Sequence, residues 1–221
     1  MKYVKKFPYE KLEKKTDENG IRHYQTPSGW VPSVTTILSQ TGDRTWLDKW
    51  IEWTGEEKAA QIRDEAAALG TVIHNHMEGF LLGIDRPSGT NFIYTLAKNM
   101  SDVLINKGFD MVDEVWAIEE TLYHDGLYAG TSDLIGVLNG KETIFDWKNT
   151  RKMKKRDSLD GYRAQAAAYA LAHNHLYGTN IEQIAIMMVD RTLAFEAFVF
   201  DTFEFQESCS MWIARLEEYY A

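Results

Sequence analysis

Residues 130–156 read GTSDLIGVLNGKETIFDWKNTRKMKKR, and Asn139-Gly140 at the centre lies between two apolar runs. Asn-Gly is the strongest short hairpin signal, because a type I′ turn needs φ > 0 at both central residues. A two-residue loop pairs Leu138 with Lys141 and, counting outward along both strands, brings Asp133 opposite Asp146. That pair falls in the non-hydrogen-bonded class, where side chains approach most closely. Lys148 shares the face of Asp146, since strand side chains alternate. Two carboxylates about 5 Å apart at Cβ repel one another, so a cation has to compensate. A divalent metal with a lysine beside it is the economical answer.

Two solvated acids on an exposed sheet face would be the plain alternative. The neighbours speak against it. Ile135, Val137 and Ile144 lie on the aspartate face, and Leu134, Leu138, Phe145 and Trp147 lie on the other. A strand pair apolar on both faces is covered on both sides, and acids there need partners.

The chain has 221 residues, enough for one domain with a substantial core. We expect a single unit, 1–221, with a mainly helical part over 1–108 and an α/β core over 109–221. No repeat or low-complexity segment stands out, and no run approaches the ~18 apolar residues of a membrane span. The basic N-terminus MKYVKKFPYEKLEKK lacks the apolar centre of a secretory signal. One cysteine, Cys209, excludes an internal disulfide and any multi-cysteine cluster, and suggests a reducing, cytoplasmic compartment.

The formal net charge of −9 disfavours a nucleic-acid coat protein but not an enzyme with a local basic cleft. Lys148, Arg151, Lys152, Lys154, Lys155 and Arg156 place six basic residues within nine positions. Most such runs are solvated loops. This one begins at the candidate lysine, which makes Arg151, Lys152, Lys154 and Lys155 candidates for phosphate contact. The N-terminal lysines, Lys11 and Lys14 among them, read as solvated surface.

Residues 1–30 read as irregular or short-strand structure, with Asn19-Gly20 and Ser28-Gly29 as turns. Ser33 caps a helix beginning VTTIL. A helical region runs on to about Leu82, and the spacing of Trp46, Trp50 and Trp53 there predicts a buried helix face, with base stacking as the alternative. Leu69, Ile73, Met77 and Leu81 form one apolar stripe, with His74 and Glu78 one turn apart beside it. On pattern alone His74 is a packed core histidine before it is a ligand. Neither His74-x-His76 nor His173-x-His175 suits one metal, because i,i+2 residues diverge on a helix.

A further helix spans Asn91 to Lys107. Strands follow at about Met111–His124, Tyr128–Leu138 and Lys141–Lys148. A strict Asp125-Gly126 turn would set Glu120 beside Asp133, and a longer loop would set Glu119 there instead. An alanine-rich helix, Leu159 to Tyr177 with Ser158 as cap, carries Tyr162, Gln165 and Tyr169 on one face. Two strands, Ile184–Val189 and Phe195–Phe200, precede a last helix from Phe203 to Tyr220. This order predicts an α/β fold, a mixed β-sheet of about five strands flanked by helices.

Asp133, the D-x-K of Asp146-Trp147-Lys148, the Q-x-x-x-Y of Gln165 to Tyr169 and the upstream His74 together resemble the RecB-like branch of the PD-(D/E)XK nucleases. PSVTTIL, AGTSD, DWK and LEEY look most like the mitochondrial genome maintenance exonucleases and their phage relatives, over roughly residue 32 to the end. The resemblance implies a restriction-endonuclease-like α/β/α core. Asp133 and Asp146 would bind Mg²⁺ or Mn²⁺, His74 would add a ligand, and Lys148 would act on the scissile phosphate. Gln165 and Tyr169 would hold DNA or brace the site. The pattern E-x-x-L-Y favours Glu119 over Glu120 as auxiliary acid. Asn149 stands where relatives often have Thr, and the single cysteine excludes the four-cysteine iron–sulfur cluster of some cousins.

The expected function is metal-dependent DNA exonuclease activity on single-stranded or flap ends, in a monomer. An endonuclease or duplex-processing recombination nuclease, or an inactive nucleic-acid-binding descendant, are the alternatives. So short a leader sets the expectation of a bacterial or phage chain. The chemistry fits the residues independently. A carboxylate-held Mg²⁺ polarises a phosphoryl oxygen, and a lysine stabilises developing charge.

Overall fold

The computed structural model describes residues 2–18 and 20–221. Asn19, the first residue of the expected Asn19-Gly20 turn, lies outside the described residues.

The centre is a six-stranded mixed sheet in the order β1-β5-β6-β7-β8-β9. Its strands are β1 (Lys2–Tyr3), β5 (Val112–His124), β6 (Tyr128–Leu138), β7 (Lys141–Thr150), β8 (Gln183–Asp190) and β9 (Phe195–Asp201). The sixth strand, beyond the five expected, is β1, a two-residue strand parallel to β5. The β6–β7 hairpin turns on Asn139 (φ +53°) and Gly140 (φ +73°), both left-handed as a type I′ turn demands. Pairing runs from Leu138 with Lys141 to Leu134 with Phe145.

Helices cover both faces, because both faces are apolar. α1 (Val34–Gln40), α5 (Asp160–Tyr177) and α6 (Thr202–Tyr220) bury Ile135, Ile144, Ile186 and Phe200. Six alanines of α5, from Ala164 to Ala172, are buried, and such small side chains let the helix lie close to the sheet. On the other face, α3 (Glu56–Leu82), α4 (Phe92–Val103) and the π-turn after it bury Leu134, Phe145, Trp147 and Met187. β8 is buried along its whole length, between the two layers.

The short strands expected within residues 1–30 are present, and they assemble into a second sheet of β2 (Lys14–Thr16), β3 (Arg22–Thr26) and β4 (Gly29–Pro32). Tyr24 and Val31 pack this sheet on Ala129 at the start of β6. Two expectations are corrected. First, α2 (Thr45–Thr54) buries none of its residues, and Trp46 and Trp53 are 73% and 86% exposed. The tryptophan spacing marks one helix face, but that face stays largely open among the described residues. Second, Ser158 does not cap α5. It sits in a short 3₁₀ turn and donates to the Lys155 carbonyl, while Leu159 precedes the helix. Ser33 does cap α1, accepting from Thr36 N–H at 3.0 Å. Among the described residues no helix is long and apolar enough to cross a membrane.

Candidate active site

The ladder between β6 and β7 stops one step short of the expected Asp133–Asp146 pair. Beyond it β7 continues along β8 as far as Thr150 with Asp190. Asp133 fills the gap with its side chain: Trp147 N–H donates to Asp133 Oδ2 at 2.8 Å. A backbone donor in the sheet interior is thus satisfied by a carboxylate, which fixes that carboxylate tightly. Asp133 and Asp146 are both buried.

Asp146 is engaged by its neighbour on the same strand. Lys148 Nζ lies 2.7 Å from Oδ1 and 2.6 Å from Oδ2 of Asp146. The Oδ2 contact is poorly aligned for hydrogen bonding, and this buried oxygen has no other partner. Nζ also stands 5.0 Å from the ring centre of Tyr162.

The β5–β6 loop decides between the two glutamates. The first pair is His124 with Tyr128, so the loop is three residues, Asp125 to Leu127. Glu119 then falls between the pairs Ile118–Leu134 and Glu120–Ser132, facing Asp133. Its φ of +49° is left-handed within a strand, a sparse region for a residue with Cβ. α3 supplies the remaining group. Leu69, Ile73 and Met77 anchor its stripe as the spacing predicts, and His74 beside them reaches Glu119. His74 Nδ1 is 2.8 Å from Glu119 Oε1 and 3.6 Å from Asp133 Oδ1. One donor atom from each of His74, Glu119 and Asp133 lies within 4.8 Å of the others.

Charge follows from that packing. Burial alone would depress His74, but Asp133 and Glu119 outweigh it and hold the imidazole up at about 9. Burial pushes the Asp146 carboxyl up to about 6, with Lys148 limiting the rise. Asp133 is likewise raised by burial, against the pull of His74 and Lys148. Burial works to lower Lys148, and Asp146 and Asp133 overcome it, so the ammonium stays charged.

Gln165 and Tyr169 stand above this group on α5, with Gln165 Nε2 3.5 Å from the Tyr169 hydroxyl. Tyr169 packs against Gly130, where an added Cβ would come within 2.8 Å of its ring. Gly130→Ala should therefore push a stiff buried ring aside and destabilise the protein by about 1–3 kcal/mol. Urea unfolding measures it, and a loss under about 0.5 kcal/mol would contradict this packing.

Two cavities open onto the group. The smaller, about 210 Å³, is lined by His74, Glu119, Asp133, Gln165 and Tyr169 together with Arg22. It adjoins a cleft of about 470 Å³ that shares His74, Glu119 and Arg22 and extends past Lys11 and Lys14. Arg22 escaped the sequence analysis because short exposed strands carry little pattern, and no local signal marks it. Arg151, Lys152, Lys154 and Lys155 line neither cavity. Lys154 donates to the Tyr162 hydroxyl at 3.0 Å. Arg156 is occupied with Glu204 and the Val199 carbonyl. His76 takes a hydrogen bond from Arg86, and His173 sits in the core between Tyr9 and Thr179.

The residues fit a divalent cation. One imidazole and two carboxylates converge, a donor set of oxygens with a single nitrogen that suits a divalent metal ion. Asp146 stands outside the convergent group, with Lys148 against both of its oxygens.

No family model matches the chain. It is 26% identical over 213 residues to mitochondrial genome maintenance exonuclease 1 of Mus musculus, a match covering 86% of this chain and 59% of that protein. The Homo sapiens protein of the same name is 26% identical over 211 residues, covering 86% and 58%. The chain thus spans less than two thirds of the length of these curated relatives. Among solved structures, a presumptive exonuclease from Eubacterium rectale superposes with a TM-score of 0.50 at 12% identity, covering 70% of this chain and 67% of that one. That likeness extends to the fold alone. In sequence the chain is similar to the mitochondrial genome maintenance exonucleases, and its six-stranded mixed sheet lies between helical layers.

Proposed function

We propose that this chain hydrolyses DNA phosphodiester bonds from a free single-stranded or flap end, with Mg²⁺ or Mn²⁺ as cofactor. The observation that carries this is the convergence of His74, Glu119 and Asp133 beside the Asp146–Lys148 pair, at the foot of an open cleft. The names of the curated relatives supply the reaction class.

His74, Glu119 and Asp133 would hold the cation, and Asp146 would join them on parting from Lys148. Bound there, a divalent ion supplies Lewis acidity toward a phosphoryl oxygen and neutralises its charge. Asp133, braced by the Trp147 amide, keeps its carboxylate oriented toward His74. Lys148 carries a proton and a positive charge at Nζ, suited to the charge that develops on phosphate oxygens in the transition state. Gln165 and Tyr169 present an amide and a hydroxyl over the same cavity, where they orient a strand and exclude water. The exposed Trp46 and Trp53 of α2 offer stacking faces for unpaired bases, which favours single strands over duplex.

His74 must lose its proton before it can bind a cation. With its pKa held up at about 9, close to one proton leaves His74 per ion bound at pH values well below that. Mn²⁺ affinity should therefore tighten about tenfold per pH unit between roughly pH 7 and 8.5. His74→Gln should bind more weakly and flatten that dependence. Calorimetry across pH tests it, and an unchanged slope in the variant would remove His74 from the ligand set.

The function itself is tested on a gel. Single- and double-stranded oligonucleotides labelled at the 5′ or 3′ end, and closed single-stranded circles, are incubated with Mg²⁺, Mn²⁺ or chelator. Metal-dependent shortening of linear single strands, with circles intact, is the expected result. Cut circles would make the protein an endonuclease, and no cleavage with any metal would leave a binding module.

A further inference from the structure

Arg22 opens β3, in the small N-terminal sheet that no motif of the sequence marked. It lines both the cavity at the candidate metal group and the wider cleft that leads from it. Its backbone is fastened on both sides to the start of α1. Ser33 N–H donates to the Arg22 carbonyl at 2.8 Å. Arg22 N–H donates to Thr36 Oγ1 at 3.2 Å, and that hydroxyl lies 3.3 Å from the Arg22 carbonyl. Ser33 and Thr36 are themselves buried.

The arginines that build this fold are tied by their side chains. Arg86 bonds His76, Ser101 and Asp102, and Arg163 bonds Ser208, Glu207 and the Glu204 carbonyl. Arg215 bonds Thr41 and the Leu38 carbonyl. Among the described residues no hydrogen bond or ion pair engages the Arg22 guanidinium, although Glu119 lines the same cavities. Its main chain is held and its charge is free. Lys11 and Lys14 continue the basic wall outward, facing Thr71, Asn75 and Glu78 of α3.

We propose that Arg22 binds the DNA phosphate next to the one being cut, and that Lys14 and Lys11 carry the strand on along the cleft. The proposal rests on the nuclease function above and names which wall receives the backbone. A guanidinium pairs two of its N–H groups with one phosphate, which sets register as well as affinity. A main chain already held on a short sheet confines the ordering on binding to the side chain itself.

The test is the binding of a fluorescein-labelled single-stranded oligodeoxynucleotide, in chelator so that nothing is cut, across a series of salt concentrations. Arg22→Ala should weaken binding about tenfold. It should also make log K less steep in log salt by about 0.7, the share of one phosphate contact on a single strand. Arg22→Lys should retain the steeper slope. In the cleavage assay Arg22→Ala should raise KM far more than it lowers kcat, with the melting temperature close to wild type. If alanine unfolds the protein, Arg22→Gln carries the same comparison. Wild-type affinity and salt slope in the variants, beside normal cleavage by the parent, would overturn the role of Arg22 alone. A parent that neither binds nor cuts DNA would overturn it together with the nuclease function.

Discussion

Replacing Lys148 by alanine is expected to slow phosphodiester cleavage by about 10²-fold or more while Mn²⁺ binding survives. The two effects separate because Lys148 is not a ligand: its Nζ holds both oxygens of Asp146 and faces the Tyr162 ring. Removing it takes away a preorganised positive charge, which costs most where charge grows in the transition state. Removing it also frees the buried Asp146 carboxylate, so Mn²⁺ affinity should hold or improve. Asp146→Ala should lose cleavage and weaken Mn²⁺ binding together. Lys148→Arg should not rescue, since a planar fork replaces a compact ammonium in a tight, mostly buried site. Calorimetry with Mn²⁺ and a cleavage time course decide this. Near-normal rates in Lys148→Ala would leave the D-x-K lysine as a structural counter-ion to Asp146.

The parts of this molecule that were legible in the sequence were those fixed by local chemistry. Asn139-Gly140 sets a hairpin whose register follows residue by residue, and the two apolar faces of that hairpin forecast a helical layer on each side. Glu119 and Glu120 were not separable on residue pattern alone, because one residue of loop length exchanges them, and the loop took Leu127 as its third member. Periodicity told that Trp46 and Trp53 share a helix face but not what would cover it. Among the described residues α3 is the element α2 chiefly packs along, and that contact buries none of the α2 side chains. Short strands were foreseen within residues 1–30, but not their assembly into a sheet. Strands of three to five residues, β2 exposed and β3 only partly buried, hold too few apolar residues to show an alternation. Arg22 enters the site through long-range pairing that brings residues 22–33 over the start of β6. His74 shows the reverse case. The helix stripe predicted a packed neighbour, family resemblance suggested a ligand, and the fold sets it 2.8 Å from Glu119.

Asp133→Asn should abolish cleavage and make the protein more stable in the same stroke. The amide has the size of the carboxyl and keeps an oxygen for the Trp147 N–H, so the strand geometry need not change. What disappears is a buried negative charge. Burial raises the Asp133 pKa above its unfolded value, so ionising this group in the folded state costs stability. By linkage that cost sets in above the unfolded carboxyl value and grows with pH until the folded group has ionised. A neutral isostere escapes it, although His74 and Lys148 lose one of their counter-charges. The gain should be of order 1 kcal/mol, typical where a site is kept at the expense of the fold. The loss of rate should reach about 10²-fold or more, because the deepest carboxylate of the convergent group no longer attracts a cation. Urea midpoints at pH 5 and pH 8 give the stability arm: the variant's advantage should be larger at pH 8. Stability gained without loss of activity would make Asp133 a burden carried for no chemical purpose. Stability lost would mean that its contacts with His74 and Lys148 outweigh its burial, and the raised carboxyl would then be the wrong sign.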